Sequence, residues 1–184
     1  MKRGQAVALL ALVLAMPCWL KAAENLAINP KLDYSDHNKS QGPLITGEHM
    51  EDGAVKGMPN YIFFYMEKCY NAKRQALITV HLYEKYKDRV HFVVVDLNKQ
   101  PLSEPQKQLR QKYCFGLIPH ETLLDKNGSA VFDYTGETDE ATLDGWMDYL
   151  VRTSRGGGQQ VQAANPPAEP TEPPTGRPGG RGRD

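Results

Sequence analysis

The sequence has no excess of either charge: 22 Lys and Arg stand against 22 Asp and Glu. Nucleic-acid binding calls for a basic patch or stripe, so a balanced chain gives no reason to expect a nucleic-acid partner. The 5 histidines show no metal-ligand spacing such as H-x₃₋₅-H, and no metal is expected. No glycine-rich phosphate loop occurs, and no Ser-His-Asp order stands out, so no cofactor is expected either. No internal repeat is evident. The one long apolar run, Ala6 to Leu20, is interrupted by Pro17 and Cys18. It is shorter than the roughly 20 apolar residues that a membrane helix needs.

What is present at the start points to export. Lys2 and Arg3 precede the apolar run, and the small residues Ala22 and Ala23 follow it. A charged start, a short apolar stretch and small residues read as a signal peptide over 1–23. The expected location is periplasmic or extracellular. An uncleaved N-terminal anchor is the alternative, and the only expected route to membrane contact. Removal of 1–23 leaves Cys69 and Cys114, in a compartment where disulfides persist.

A chain of 184 residues is enough for one domain and hardly for two. Residues 24–57 are polar and irregular, and Leu44-Ile45 there could open a short strand. The tail, 154–184, is rich in Gly and Pro and has no aromatic residue. Such a segment buries too little apolar surface to offset its ordering entropy, so disorder is expected. That leaves 58–153 as the folded domain.

Within it, Tyr61 to Met66 is a continuous apolar run and reads as a strand buried on both faces. Ala72, Ala76, Leu77, Val80 and Tyr83 follow at helical spacing over 70–87. His91 to Leu97 is the next buried strand. A strand–helix–strand unit implies parallel pairing. Ser103 can cap a short helix, with Pro105 in its first turn and Gln106 three residues after the cap, ending near Tyr113. Asn127-Gly128 is a hairpin signal between Thr122–Leu124 and Ala130–Tyr134. Thr138 can cap a last helix carrying Leu143, Trp146, Met147, Leu150 and Val151, which Gly145 weakens by about 1 kcal/mol. The expectation is an α/β domain, a mixed central sheet with helices on both faces.

Cys69 stands between a buried strand and a helix, whose free N–H groups and positive dipole end stabilise a thiolate. Lys68 and Lys73 add to this and Glu67 opposes it. Such a thiolate can attack a disulfide; the bland alternative is an unreactive structural cysteine. Cys114 is either a small buried apolar residue or a partner for Cys69. A bridge closing a loop of about 45 residues would contribute a few kcal/mol.

The segment Phe64-Tyr-Met-Glu-Lys-Cys69-Tyr-Asn-Ala-Lys73 resembles the strand-to-helix segment of thioredoxins, with Cys69 at the first cysteine of C-x-x-C. Val93-Val-Val-Asp96 resembles the next strand, Tyr113-Cys-Phe-Gly-Leu-Ile-Pro119 the approach to a cis-proline, and Leu124-Asp-Lys-Asn-Gly128 the hairpin. This resemblance implies a thioredoxin-like fold and thiol-disulfide exchange through Cys69, with or without Cys114. It implies a cis bond at Ile118-Pro119 and substrate binding by the backbone at Ile118 and Pro119, through strand addition. The implied partner is a protein or peptide, disulfide-containing for a redox role. Three departures favour the alternative, a non-catalytic peptide-binding module. Ala72 replaces the second cysteine, Lys68 the usual tryptophan, and Phe63 the buried acid. His120, after the proline, is expected at the surface or lightly packed.

Overall fold

The computed structural model describes residues 23–35, 41–155 and Pro167. Nearly all of the expected signal peptide lies outside the described residues, and so does the tail beyond 155 apart from Pro167.

The element order is β1 (Glu24–Ile28), β2 (Ile45–Glu48), β3 (Asn60–Tyr65), α1 (Tyr70–Tyr86), β4 (His91–Asp96), α2 (Glu104–Tyr113), β5 (His120–Leu124), β6 (Ala130–Thr135) and α3 (Glu140–Arg155). The main sheet has the order β4-β3-β5-β6. β3 pairs parallel with β4 and antiparallel with β5. β5 and β6 form the hairpin, turned by Asp125, whose side chain accepts from the Asn127 and Ser129 N–H groups.

Every residue of β3 is buried, because its alternating side chains feed two cores. Tyr61, Phe63 and Tyr65 point to one face and pack with α1 and α3. Ile62 and Phe64 point to the other and pack with Leu109 and Tyr113 of α2. Helices thus cover both faces, as the pattern of apolar runs implies. The helix α1 buries Ala72, Ala76, Leu82, Tyr83 and Tyr86, together with Lys73, Gln75 and Thr79. Leu77 points outward, contrary to the apolar spacing, because the inner stripe accepts three polar side chains that have partners elsewhere.

Segment 24–57 is more ordered than its composition suggests. β1 and β2 form a separate antiparallel pair, with a register irregularity between Glu24 and Ala27. Leu26, Leu44 and Ile45 of this pair enter the core. Leu44 N–H donates to the Tyr65 hydroxyl at 3.2 Å, and Asn25 N–H to the Tyr83 hydroxyl at 2.8 Å. The segment was hard to recognise because single buried residues replace a regular alternation. Further along, the imidazole of His91 meets the Gly53 carbonyl at 2.8 Å.

Two caps differ in detail from expectation. Ser103 does accept from Gln106 N–H, but the Gln106 side chain reaches the Met50 carbonyl at 2.7 Å rather than back to the cap. Asp139 takes the capping role at α3, accepting from Thr142 N–H, while Thr138 is buried and its N–H donates to Gln75. α3 buries Leu143, Trp146, Met147, Leu150 and Val151. Its glycine faces Pro167 of the tail: a Cβ at Gly145 would stand 3.6 Å from the Pro167 ring.

Candidate functional site

Cys69 is the N-cap residue of α1, extended at φ −83 and ψ 117, directly after the fully buried β3. Its side chain caps no backbone N–H. It is half-buried instead, and its Sγ lies 3.8 Å from the Ile118 carbonyl oxygen. Only the thiol can donate in that contact; a thiolate would have to leave it. The first turn of α1 holds no acidic residue, so the dipole end there is not offset from within the helix.

The opposite wall is the segment between α2 and β5. Ile118-Pro119 is a cis peptide, as the resemblance implies, and Gln100-Pro101 is a second cis bond. Gly116 turns this segment at φ 106, a conformation that suits glycine. The turn leaves Phe115 83% and Leu117 72% exposed. With Met66, 42% exposed on the β3–α1 side, they are three of the four large apolar side chains exposed among the described residues.

Of the four site residues read from the sequence, Cys69, Ile118 and Pro119 come together here. Cys114 does not join them. Both cysteines are free thiols. Cys69 packs against the core of α1 and α3, whereas Cys114 belongs to the core under α2, on the other side of the sheet.

The positions that depart from the thioredoxin pattern are equally well defined. Ala72 is fully buried in α1, and Phe63 is fully buried and stacked on Tyr65. Lys68 is exposed. Phe63 pairs in register with Glu121 of β5. So a buried acid does lie on this face of the sheet, one strand away from the expected position. Glu121 accepts from the Tyr61 hydroxyl at 2.6 Å, and that hydroxyl also meets Thr79 at 3.0 Å. Burial pushes the Glu121 pKa up to about 7, against the hydrogen bonds that favour its carboxylate. Its second oxygen has no hydrogen-bond partner, nor does the Nε2 of Gln75. The sequence signal was there in outline: a Glu inside a short strand, directly after the His that follows Pro119.

His120 is not a surface residue. It is 4% exposed, its ring held between the Thr135 hydroxyl at 2.8 Å and Asp133 at 3.0 Å, with Phe64 alongside. A strand in the middle of the sheet carries it inward, and β6 supplies polar partners. Among the described residues one group could hold a metal ion, Glu24, Glu48 and His49 on the β1–β2 pair. It includes neither cysteine nor His120.

No protein-family model matches the chain, and no curated protein matches it. Among solved structures, thioredoxin-2, a component of the malaria parasite protein secretion machinery, is 21% identical. The match covers 47% of this chain and 77% of that one, with a TM-score of 0.40. The thioredoxin of Malassezia sympodialis, Mala s 13, is 20% identical over 52% of this chain and 77% of its own, with a TM-score of 0.43. The structure itself carries the parallel β3–β4 unit joined through α1, the β5–β6 hairpin on the other side of β3, helices on both faces, and Pro119 leading into β5. With that arrangement, the chain has a thioredoxin-like fold.

Proposed function

We propose that this chain is an exported thioredoxin-like protein that binds an extended segment of a partner protein and exchanges a disulfide with it through Cys69 alone. One observation carries the reading: the half-buried Cys69 thiol faces the Ile118 carbonyl beside an exposed apolar pair, Phe115 and Leu117. An extended segment laid along 115–118 would bury those side chains and bring its own sulfur towards Cys69.

The chemistry follows from having a single thiol. The Cys69 thiolate attacks one sulfur of a partner disulfide, a new S–S bond forms, and the other sulfur leaves as a thiolate. Ala72 cannot resolve the mixed disulfide and Cys114 packs on the other face. Release then requires an external low-molecular-weight thiol, which takes the place of the missing cysteine. Turnover is that of a monothiol exchanger, not a dithiol reductase.

A second reading has its own support. The Cys69 thiol already has a partner in the Ile118 carbonyl, and Phe115 and Leu117 would bind a partner with or without chemistry, so a non-catalytic binding module uses the same surface. The two readings separate in one experiment. The mature protein is titrated with an extended apolar peptide containing one disulfide. Phe115→Ser and Leu117→Ser should each weaken binding about tenfold, the loss of burying one large side chain. Cys69→Ser should abolish the covalent adduct and keep the non-covalent affinity. If the wild type forms no adduct yet binds, the exchange reading fails and the binding module stands. If both serine variants bind as the wild type does, neither reading holds.

Export rests on the charged start and apolar run before residue 24. Ala23 is buried in the core and β1 begins at Glu24, so a cut after Ala22 would leave the folded part whole. Among the described residues, no helix is long and apolar enough to cross a membrane. Mass spectrometry of the protein recovered from the cell envelope or medium should find an N-terminus at Ala23 or Glu24. A chain still starting at Met1 would indicate the anchor.

A further inference from the structure

The middle of α3 carries a gap on its outward face. Gly145 sits there, and its φ is not positive. The backbone therefore gives no reason for glycine, which is less stable than alanine inside a helix. Leu143, Trp146, Met147, Leu150 and Val151 turn to the core, which leaves Gly145, Tyr149 and Arg152 along the opposite stripe. Outside α3, and among the described residues, the atoms within 4 Å of a Cβ at Gly145 belong to one residue, Pro167: its ring Cγ at 3.6 Å and its Cβ at 3.8 Å. Those are ordinary contact distances. Pro167 is the one described residue beyond Arg155. An extended chain from Arg155 to Pro167 reaches roughly 40 Å, and Gly145 lies about 15 Å back along the helix, so the return is easily spanned.

Two further features accompany that gap. Tyr149 follows Gly145 by one helical turn; it is half-buried, and its ring stands edge-on to Trp146 with 5.9 Å between centroids. Trp146 is 5% exposed, and its Nε1 is buried without a hydrogen-bond partner, which is costly for a donor. The sequence around Pro167 matches such a face. Pro167, Pro170 and Pro173 recur at every third position. A polyproline II helix has three residues per turn, so these prolines share one edge, while Glu169 and Glu172 share another. Its backbone carbonyls make no internal hydrogen bonds and are free to accept from an outside donor. Proline-rich segments of this P-x-x-P kind dock against aromatic side chains. The tail has too little apolar surface for a core of its own, but docking against a finished helix does not require one.

We propose that the proline-rich segment around Pro167 docks on the outward face of α3 in its own chain, with Pro167 seated over Gly145 beside Tyr149. The tether makes the contact intramolecular, at an effective concentration in the millimolar range, so a few side chains suffice. The contact of Pro167 with Gly145 identifies the occupant. Alanine at 145 still fits, because its Cβ meets the ring at contact distance, whereas a longer side chain takes the place of the ring. The proposal rests neither on Cys69 nor on the redox reading.

The test is NMR of the ¹⁵N-labelled mature protein with its full tail. Pro167→Ser should shift the amides of Gly145 and Tyr149 and the indole N–H of Trp146, which is the only tryptophan once 1–23 is removed. In the wild type the amides of Ala168 and Glu169 should have order parameters above about 0.6, and Gly145→Gln should bring them below that value. Gly145→Ala should leave them as in the wild type. Each change is read on the far side of the contact, so a local disturbance produces neither result. Order parameters below about 0.6 at Ala168 and Glu169 in the wild type, unmoved α3 signals in Pro167→Ser, or an unchanged tail in Gly145→Gln would each overturn the proposal. Signals independent of protein concentration support docking within one chain. Signals that move on dilution to their positions in Pro167→Ser place the tail of a second copy on α3 and overturn it.

Discussion

Glu121 sits fully buried at the end of the Tyr61 hydroxyl, one strand away from the place where the thioredoxin pattern would put its acid. Its charge is therefore costly in the folded state. Burial raises the carboxyl from its ordinary value of 4.5 to about 7 on folding. Below the unfolded value both states are protonated and the contribution to stability is complete. As the pH rises through the folded value the buried group must ionise, and that contribution is lost, on the order of 3 kcal/mol. Glu121→Gln keeps an acceptor for Tyr61 and removes the titration. Thermal melts should show this variant matching the wild type near pH 5 and exceeding it near pH 8. His91, whose pKa burial lowers, works in the opposite direction, losing stability as the pH falls. It is present in both proteins, so the difference between them isolates Glu121. A wild-type melting temperature that tracks the variant at every pH would remove Glu121 from the account. Cys69 was legible because an N-cap between a buried strand and a helix is a local pattern. Glu121 was legible only in outline, as a Glu inside a short strand, because its environment is made by Tyr61, Gln75 and Thr138, which are distant in sequence.

At the scale of elements, the strong signals were those whose apolar run or helical stripe is complete within one segment. β3, β4, α1, α2, α3 and the Asp125–Ser129 turn all follow this rule; the bounds of β3, β4, α1 and α2 fall within about two residues of those read from the sequence, while α3 runs on to Arg155, past the last apolar position read, Val151. The pair β1–β2 breaks it. Each of its strands places one or two side chains in a core built by other elements, so no alternation is visible. Its fit is nevertheless close. A Cβ at Gly47 would lie 2.7 Å from a Leu26 methyl and 2.8 Å from the Glu24 carbonyl oxygen. Gly47→Ala should therefore destabilise the protein by about 1–3 kcal/mol, the range for overpacking a tight site, as read by urea denaturation. An unchanged midpoint would mean that the pair is not part of the cooperative unit.

Across the whole molecule, one thioredoxin-like sheet presents two separate surfaces. One lies where β3 runs into α1 and meets the segment before β5; there Cys69, Ile118, Phe115 and Leu117 gather. The other is a cavity beneath β2, lined by Ile45, Met50 and Val94 together with Glu67, Asp96, Asn98 and Lys99. The first was readable in the sequence through the order and spacing of its motifs. The second depends on how residues before β3 fold back, which no local pattern states. The central claim, that a single thiol does the chemistry, is tested most directly by where a disulfide probe attaches. The mature protein is mixed with a disulfide-containing apolar peptide, quenched at intervals and mapped by mass spectrometry. The account predicts a mixed disulfide at Cys69, slowed about tenfold by Phe115→Ser, with Cys114 unmodified until the protein is denatured. Capture at Cys114 in the folded protein, or a Cys69–Cys114 bridge as the product, would contradict it.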